Sequence, residues 1–197
     1  MADPPYTVLG YSFGAGIAFE MAYQLEQAGC EVHLVCVDGS PKYLKSIILR
    51  EKLSERSHGS ACHARMLTCF TMLVNKGEAT KVAGYIRSAY NWEERVNATV
   101  DLLKNKTPFP ADEIKTAANR FREITKIMDE YDVNKRLKGH VTLFTASENY
   151  VRADDDYGLR EMCSGLDRRQ LQATHQSIIT GESARLIAER VNEILNS

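Results

Sequence analysis

The sequence lacks the features that mark several specialised classes of protein. Its 197 residues include only 12 Gly, 5 Pro and 5 Cys, too few for a collagen-like chain, a low-complexity chain or a dense disulfide scaffold. It contains no run of about 18 apolar residues, and its first residues have neither the basic nor the apolar region of a signal peptide. We therefore expect a globular, cytoplasmic protein that does not insert into a membrane.

Neither sign of charge is in excess, and the metal-binding residue types are scattered. The chain has 25 Lys and Arg against 26 Asp and Glu, a formal net charge of -1, so we expect no nucleic-acid partner. The odd number of cysteines without C-x-x-C spacing indicates a reducing compartment and no metal centre. His58, Cys62 and His63 lie close in sequence, but no second ligand pair accompanies them, and we interpret them as part of a solvated loop.

A β-α-β pattern occupies the first 38 residues. Tyr6–Leu9 is a β-favouring run that ends at Gly10, and helical spacing of apolar residues runs from Ala15 to Ala28. Glu31–Val37 is dense in Val and Leu, which is typical of a strand buried on both faces of a parallel sheet. The Asp-Gly-Ser-Pro sequence that follows is strong turn chemistry and predicts the end of that strand.

The rest of the chain predicts a helical insertion followed by a return to the sheet. Residues 44–132 are almost wholly helical in pattern, and further strands are predicted at His140–Thr145 and Gln170–Thr174. The predicted helices are Ala61–Val74, Lys81–Tyr90, Trp92–Lys104, Ala111–Tyr131 and Glu182–Leu195. This order predicts an α/β fold with a mostly parallel sheet, built from residues 1–43 and 133–197 and interrupted by an all-helical insertion at 44–132.

A G-x-S-x-G motif at 10–14 stands at the junction of the first strand and the first helix. In that context the serine, Ser12, sits on a tight turn with its hydroxyl exposed, and the flanking glycines remove Cβ atoms that would clash. The backbone N–H of Phe13 is then one donor to an oxyanion. An ordinary glycine-rich turn or a phosphate-binding loop remains the alternative, although no lysine follows at Walker spacing and G-x-G-x-x-G is absent.

A nucleophilic serine needs a base, and the base needs a carboxylate that orients it. In this type of fold the expected chain order is Ser, Asp or Glu, then His. Asp38 and His175 each follow a predicted strand, where ligands bind in open parallel sheets. For Asp38 the alternative is a simple turn residue, and the acidic cluster at 154–156 is a rival for the acid role.

Blocks much longer than this motif resemble the C-terminal thioesterase domain of animal fatty acid synthase. They are GYSFGAGIAFEM at 10–21, VDGSPKY at 37–43, WEERVNATVDLL at 92–103, then Tyr157-Gly-Leu, His175 and Gly181-Glu-Ser. The resemblance implies an α/β-hydrolase-type fold, with Ser12, Asp38 and His175 as catalytic triad and the helical insertion as a lid that forms an acyl groove. The implied reaction is hydrolysis of a long acyl thioester, typically palmitoyl, carried on the phosphopantetheine of acyl carrier protein or on CoA, without a further cofactor.

The chain differs from the resembling family at two places. Where that family has Gly-Asp or a similar pair before the histidine, this chain has Ala173 and Thr174. Met1 lies 11 residues before Ser12, so we expect the family's early strands and the loop with the second oxyanion donor to be missing. Two alternatives therefore stay open, a catalytically impaired acyl-binding module and an esterase acting on oxyesters; no oligomeric state follows from the pattern.

Overall fold

The computed structural model of the chain describes residues 5–53, 60–86, 89–148 and 154–196. The chain divides into two compact units, Met1–Ile47 with Tyr131–Ser197 and Ile48–Glu130. The strands are β1 (Tyr6–Tyr11), β2 (Val32–Val37), β3 (His140–Glu148) and β4 (Gly165–Thr174). The helices are α1 (Phe13–Gln27), α2 (Pro41–Leu53), α3 (Ser60–Val74), α4 (Ala79–Tyr85), α5 (Trp92–Leu103), α6 (Ala111–Glu130) and α7 (Gly181–Leu195).

The first unit is built on a four-stranded parallel sheet in the order β1-β2-β3-β4. Tyr11 lies opposite Val37, and Val37 lies opposite Phe144, so the carboxyl ends of neighbouring strands share one edge of the sheet. The predicted α/β fold with a parallel sheet is confirmed. That edge is where ligands bind in open sheets of this kind.

Helices cover both faces of this sheet. On one face the small residues of α1 allow close approach, and Ala15, Ala18 and Phe19 pack with Leu34 and Leu143. Against the other face, α7 places Ile187 and Ile194, which pack with Val35, Val37, Phe144 and Ala146. A central strand covered on both faces is mostly apolar, which explains why β2 reads VHLVCV, with His33 its one polar residue.

Among its described residues, the second unit contains helices joined by loops and no strand. Its core is formed by apolar side chains from α3, α4, α5 and α6 together with Ile86, namely Leu67, Phe70, Val82, Ile86, Val96, Val100, Leu103, Ile114 and Ala118. Within the part of the chain that the structure describes, no helix has the length and apolar character needed to cross a bilayer.

Helices α4 and α2 differ clearly from the prediction. The predicted helix Lys81–Tyr90 ends at Tyr85, because the residues just before α5 cap the start of α5 instead. Asn91 Oδ1 accepts the Glu94 N–H at 2.9 Å, and the Glu94 carboxylate accepts the Tyr90 N–H at 2.9 Å. Helix α2 begins at Pro41, within the predicted turn. Proline suits the first helical position, where no N–H is needed.

Candidate active site

Ser12 lies between β1 and α1 in a strained backbone conformation. Its φ is 54° and its ψ is -124°, a region that side chains other than glycine rarely adopt. The Ser12 N–H donates to the Val37 carbonyl at 2.8 Å, which extends the β1–β2 pairing to the serine. Although Ser12 occupies the N-cap position of α1, its side chain makes no capping hydrogen bond. Its hydroxyl is therefore available for another partner.

Glycine is required on both sides of this turn, but not at both positions that the motif suggests. A Cβ on Gly10 would lie 2.2 Å from the Gly14 carbonyl oxygen, so the predicted role of Gly10 is confirmed. A Cβ on Gly14 would meet nothing within 4 Å, and the predicted steric role of Gly14 is wrong. The second steric requirement falls on Gly39, where a Cβ would lie 2.2 Å from the Ser12 carbonyl oxygen.

Asp38 is the residue that follows β2, and it is almost fully buried. Its N–H donates to the Phe144 carbonyl at 2.7 Å, and its φ of 49° turns the side chain away from the strand. Oδ2 accepts from His175 Nδ1 at 2.7 Å, while Oδ1 accepts the Ala146 N–H at 2.9 Å and the Tyr157 hydroxyl at 2.7 Å. A buried carboxylate with three donors is a well-satisfied anion.

These donors decide the charge state of Asp38. Burial acts to raise the pKa of this carboxyl, but hydrogen bonds from His175, Ala146 and Tyr157, together with the charge of His175, outweigh burial and lower the pKa below its ordinary value. Asp38 is therefore ionised at neutral pH and can only accept hydrogen bonds. His175 Nδ1 must then carry the proton in this pair.

His175 directly follows β4 and joins the other two residues. Its Nε2 lies 2.9 Å from Ser12 Oγ, and its side chain is 17% exposed. With the proton on Nδ1, Nε2 is an acceptor for the serine hydroxyl. The sheet thus brings together all three residues that the sequence singled out, and the arrangement can deprotonate a serine.

The loop that carries His175 is anchored on both sides. Thr174 and Ser177 exchange hydrogen bonds, with Thr174 N–H donating to Ser177 Oγ at 2.9 Å and Ser177 N–H to Thr174 Oγ1 at 3.2 Å. Tyr11 donates its hydroxyl to the His175 carbonyl at 2.7 Å, and its ring stacks on the imidazole with centroids 5.0 Å apart. Burial, and then the charge of Asp38, raise the pKa of Tyr11, which keeps this hydroxyl protonated as a donor.

Phe13 is the first residue of α1. The first N–H groups of a helix have no acceptor within the helix, and the helix dipole makes that end favourable for negative charge. The Phe13 N–H is therefore suited to the oxyanion role that the sequence predicts.

The rival residues lie elsewhere. Asp156 accepts the Gly158 N–H at 2.9 Å and pairs with Arg160, while Asp155 pairs with Arg168 at 3.5 Å. These two acids pair with arginines nearby, and the described partner of His175 Nδ1 is Asp38.

The sequence cluster that suggested a metal site is only partly described. His63 contacts the edge of the Trp92 ring, whereas His58 and the side chain of Cys62 lie outside the described residues. Among the side chains that the structure describes, no three His, Cys, Asp or Glu groups are placed to hold a metal ion.

Sequence reasoning missed the residues that support the triad. In the sequence, Tyr11 is the variable residue before the serine of the motif, and nothing there indicates its contact with His175. Tyr157 belongs to one of the blocks that carry the resemblance, but the sequence assigns it no role. Ala146 acts through its backbone, so no side-chain pattern could reveal it. Gly39 had a signal, since a glycine directly after the acid at a strand end suggests a close backbone approach.

Comparison with known proteins identifies a family for the chain. The family model described as thioesterase domain matches residues 1–195. A 40-residue stretch is 62% identical to indigoidine synthase of Streptomyces lavendulae, covering 19% of this chain and 3% of that protein. The chain thus spans a small part of this curated relative.

Solved structures resemble the chain in fold. A four-domain nonribosomal peptide synthetase bound to AMP and glycine aligns with a TM-score of 0.70 at 16% identity, over 98% of this chain and 14% of that one. Human thioesterase 2 aligns with a TM-score of 0.58 at 18% identity, over 98% and 74%. The type II thioesterase BorB from the borrelidin biosynthetic cluster aligns with a TM-score of 0.57 at 17% identity, over 99% and 64%. The match to the family model over nearly the whole chain shows that it belongs to the thioesterase domain family.

Proposed function

We propose that this chain is a serine thioesterase that releases a long acyl chain from a phosphopantetheine thiol. The observation that carries the proposal is the continuous hydrogen-bonded path from Ser12 Oγ to His175 Nε2 at 2.9 Å and from His175 Nδ1 to Asp38 Oδ2 at 2.7 Å. This arrangement of nucleophile, base and orienting carboxylate performs acyl transfer on many unrelated folds.

The first half of the reaction forms an acyl-enzyme. Ser12 Oγ attacks the thioester carbonyl as its proton passes to His175 Nε2, and the carbonyl oxygen becomes an oxyanion that accepts from the Phe13 N–H. Collapse of this intermediate breaks the carbon–sulfur bond, and His175 returns the proton to the departing thiol. Asp38 stays ionised throughout and stabilises the imidazolium that forms.

The second half releases the acid. His175 Nε2 takes a proton from water, the resulting hydroxide attacks the acyl-serine carbonyl, and the second oxyanion collapses to expel Ser12. The serine recovers its proton from His175, so the cycle consumes one water and yields a carboxylic acid and a thiol.

The proposed acyl group is a fatty acid, as in the thioesterase domain of animal fatty acid synthase, and the proposed partner is its acyl carrier protein or the CoA thioester. Support comes from the resembling blocks at 10–21, 37–43 and 92–103 and from the helical unit, which we propose binds the acyl chain. That unit exposes several large apolar side chains, namely Leu73, Tyr85, Phe109 and Ile127.

A second acyl class has its own support. One of the structures that share the fold is a nonribosomal peptide synthetase, so a peptidyl group on a carrier protein is the competing substrate. The triad serves both acyl groups equally, and the difference lies in the part of the site that binds the chain. Comparing kcat/KM for palmitoyl-CoA with that for a peptidyl-CoA separates the two.

The function is tested by thiol release from palmitoyl-CoA, measured for the parent chain and for Ser12→Ala. We expect turnover in the parent and a loss of at least about 10³-fold in the variant, because the nucleophile is gone. A palmitate ester of p-nitrophenol, assayed beside the thioester, tests the oxyester alternative. Palmitate binding by a folded parent that lacks turnover on every substrate would support the acyl-binding alternative instead.

A further inference from the structure

The Asp38 carboxylate has two oxygens, and only one of them faces His175. Oδ2 accepts from His175, whereas Oδ1 accepts from the Ala146 N–H and from the Tyr157 hydroxyl. A carboxylate held by one oxygen can rotate about its Cβ–Cγ bond, since that torsion is broad. Donors on the second oxygen fix the plane of the carboxylate, and the plane decides where the imidazole ring points.

Tyr157 is itself held by several independent contacts. Its carbonyl accepts from the buried Ser40 Oγ at 2.6 Å, and its ring stacks on Tyr43 with centroids 4.2 Å apart and planes at 22°. Its N–H donates to the Asp154 carbonyl at 3.0 Å. Its residue exposure is only 4%, so the hydroxyl meets its partner in a setting from which water is largely excluded, where a hydrogen bond to a charged group is strong.

The backbone at Tyr157 is in an unfavourable conformation. Its φ of 53° places a bulky residue in the left-handed region, and Gly158 follows with a φ of 72°. A conformation of this kind persists only when surrounding contacts determine it, and such residues cluster at functional sites. The contacts with Ser40 and Tyr43 hold Tyr157 in this conformation, and in it the Tyr157 hydroxyl points at Asp38.

We propose that Tyr157 is a positioning residue of the proposed thioesterase reaction, acting on His175 through Asp38 Oδ1. This inference rests on the proposed function, because it assigns Tyr157 to the same triad. It differs from a role in core packing, in which only the ring matters. The hydroxyl orders the carboxylate, and the carboxylate orders the base toward Ser12.

The test compares Tyr157→Phe with Tyr131→Phe. Both variants remove a tyrosine hydroxyl that donates to a carboxylate, since Tyr131 donates to Glu20 at 2.5 Å in the same unit. We measure kcat and KM for palmitoyl-CoA and the rate at which a fluorophosphonate labels Ser12. Tyr157→Phe is expected to lower kcat and the labelling rate together by about 10- to 100-fold with KM unchanged, and Tyr131→Phe is expected to alter neither. Parent-like rates in Tyr157→Phe would overturn the proposal.

A double-mutant cycle with Asp38→Asn separates positioning from general structure. If Tyr157 acts through Asp38, Tyr157→Phe lowers kcat less than about twofold in the Asp38→Asn background. A loss as large as in the parent background would mean that Tyr157 acts by another route. Should Tyr157→Phe fail to fold, Ser40→Ala carries the same cycle, since it removes the donor to the Tyr157 carbonyl.

The two measurements also distinguish this inference from the proposed function. A parent chain that is labelled at Ser12 but does not hydrolyse palmitoyl-CoA contradicts the proposed substrate, and the labelling rates then decide the role of Tyr157. A parent chain that hydrolyses palmitoyl-CoA while Tyr157→Phe keeps full kcat contradicts only the role of Tyr157.

Discussion

At the scale of single residues, the site depends on two glycines that allow backbones to approach closely. Gly10 contacts the start of α1 and Gly39 contacts the Ser12 carbonyl. The atoms that a Cβ would meet are backbone atoms, which cannot move aside as a side chain can. The strained φ of Ser12 is thus enclosed by fixed main chain, and the position of its Oγ follows from that enclosure.

Gly39→Ala is expected to impair both stability and turnover. The new Cβ would lie 2.2 Å from the Ser12 carbonyl oxygen, so the serine turn must shift, at a cost of about 1–3 kcal/mol in the free energy of unfolding. The displaced Ser12 Oγ then loses alignment with His175, and kcat falls. Urea denaturation and palmitoyl-CoA hydrolysis measure the two effects.

Gly14→Ala is the matched comparison for stability, because its Cβ would enter open space within α1. Alanine is the better helix former, so its free energy of unfolding is expected to equal that of the parent or to exceed it by up to about 1 kcal/mol. Equal destabilisation by the two alanines would show that the close approach at Gly39 is unimportant.

The residue scale also shows where sequence reasoning succeeds and stops. Ser12, Asp38 and His175 could be found because each follows a strand whose apolar pattern is readable, and parallel strands bring their ends to one edge. Tyr157 could not be assigned a role from pattern alone, since its hydroxyl meets Asp38 across 119 positions of sequence. This contact depends on a loop in which Tyr157 and Gly158 both have positive φ, and no local periodicity encodes that conformation.

At the scale of elements, every strand was predicted, but two of them are clearly longer than predicted. β3 continues three residues beyond Thr145 to Glu148, and β4 begins at Gly165, five residues before Gln170, because its polar first half carries no apolar pattern. The sequence of β2 predicts a buried strand because both of its faces are covered. The observed strand begins at Val32, one residue after the predicted start at Glu31. The start of α1 was predicted two residues late, because Gly14 is a poor helix former, whereas the helix begins at Phe13. The end of α4 was missed because the capping of α5 determines it.

The cap of α5 gives a prediction about the helical unit. Asn91 Oδ1 accepts the Glu94 N–H at 2.9 Å, so Asn91→Ala is expected to lower the free energy of unfolding of this unit by about 1 kcal/mol. Asn91→Asp keeps the acceptor, and its free energy of unfolding is expected to stay within a few tenths of a kcal/mol of the parent. The single tryptophan of the chain, Trp92, is the first residue of α5, so its fluorescence in urea reports this unit directly. An unchanged midpoint in Asn91→Ala would show that the cap does not stabilise the helix.

At the scale of the whole molecule, function and acid stability are connected through Asp38. The hydrogen bonds that ionise this carboxylate for the triad also lower its pKa in the folded chain despite burial. In the unfolded chain the carboxyl returns to about 3.9. The stability that these contacts contribute is therefore present above that unfolded pKa and is lost as the pH falls through the lower folded value.

Acid unfolding of the parent and of Asp38→Asn tests this connection. Below about pH 4 the unfolded chain binds more protons than the folded chain, so the free energy of unfolding of the parent declines with falling pH. Asp38→Asn is less stable at pH 7, yet its stability is expected to depend less on pH between about 4 and 2, because the titrating group has been removed. Urea midpoints followed by far-ultraviolet circular dichroism across this range measure the two slopes. Glu31→Gln, a change at an exposed residue just ahead of β2, is the comparison that is expected to keep the parent's slope. Equal slopes in the parent and Asp38→Asn would mean that Asp38 titrates alike in the folded and unfolded chains, and that its hydrogen bonds contribute no pH-dependent stability.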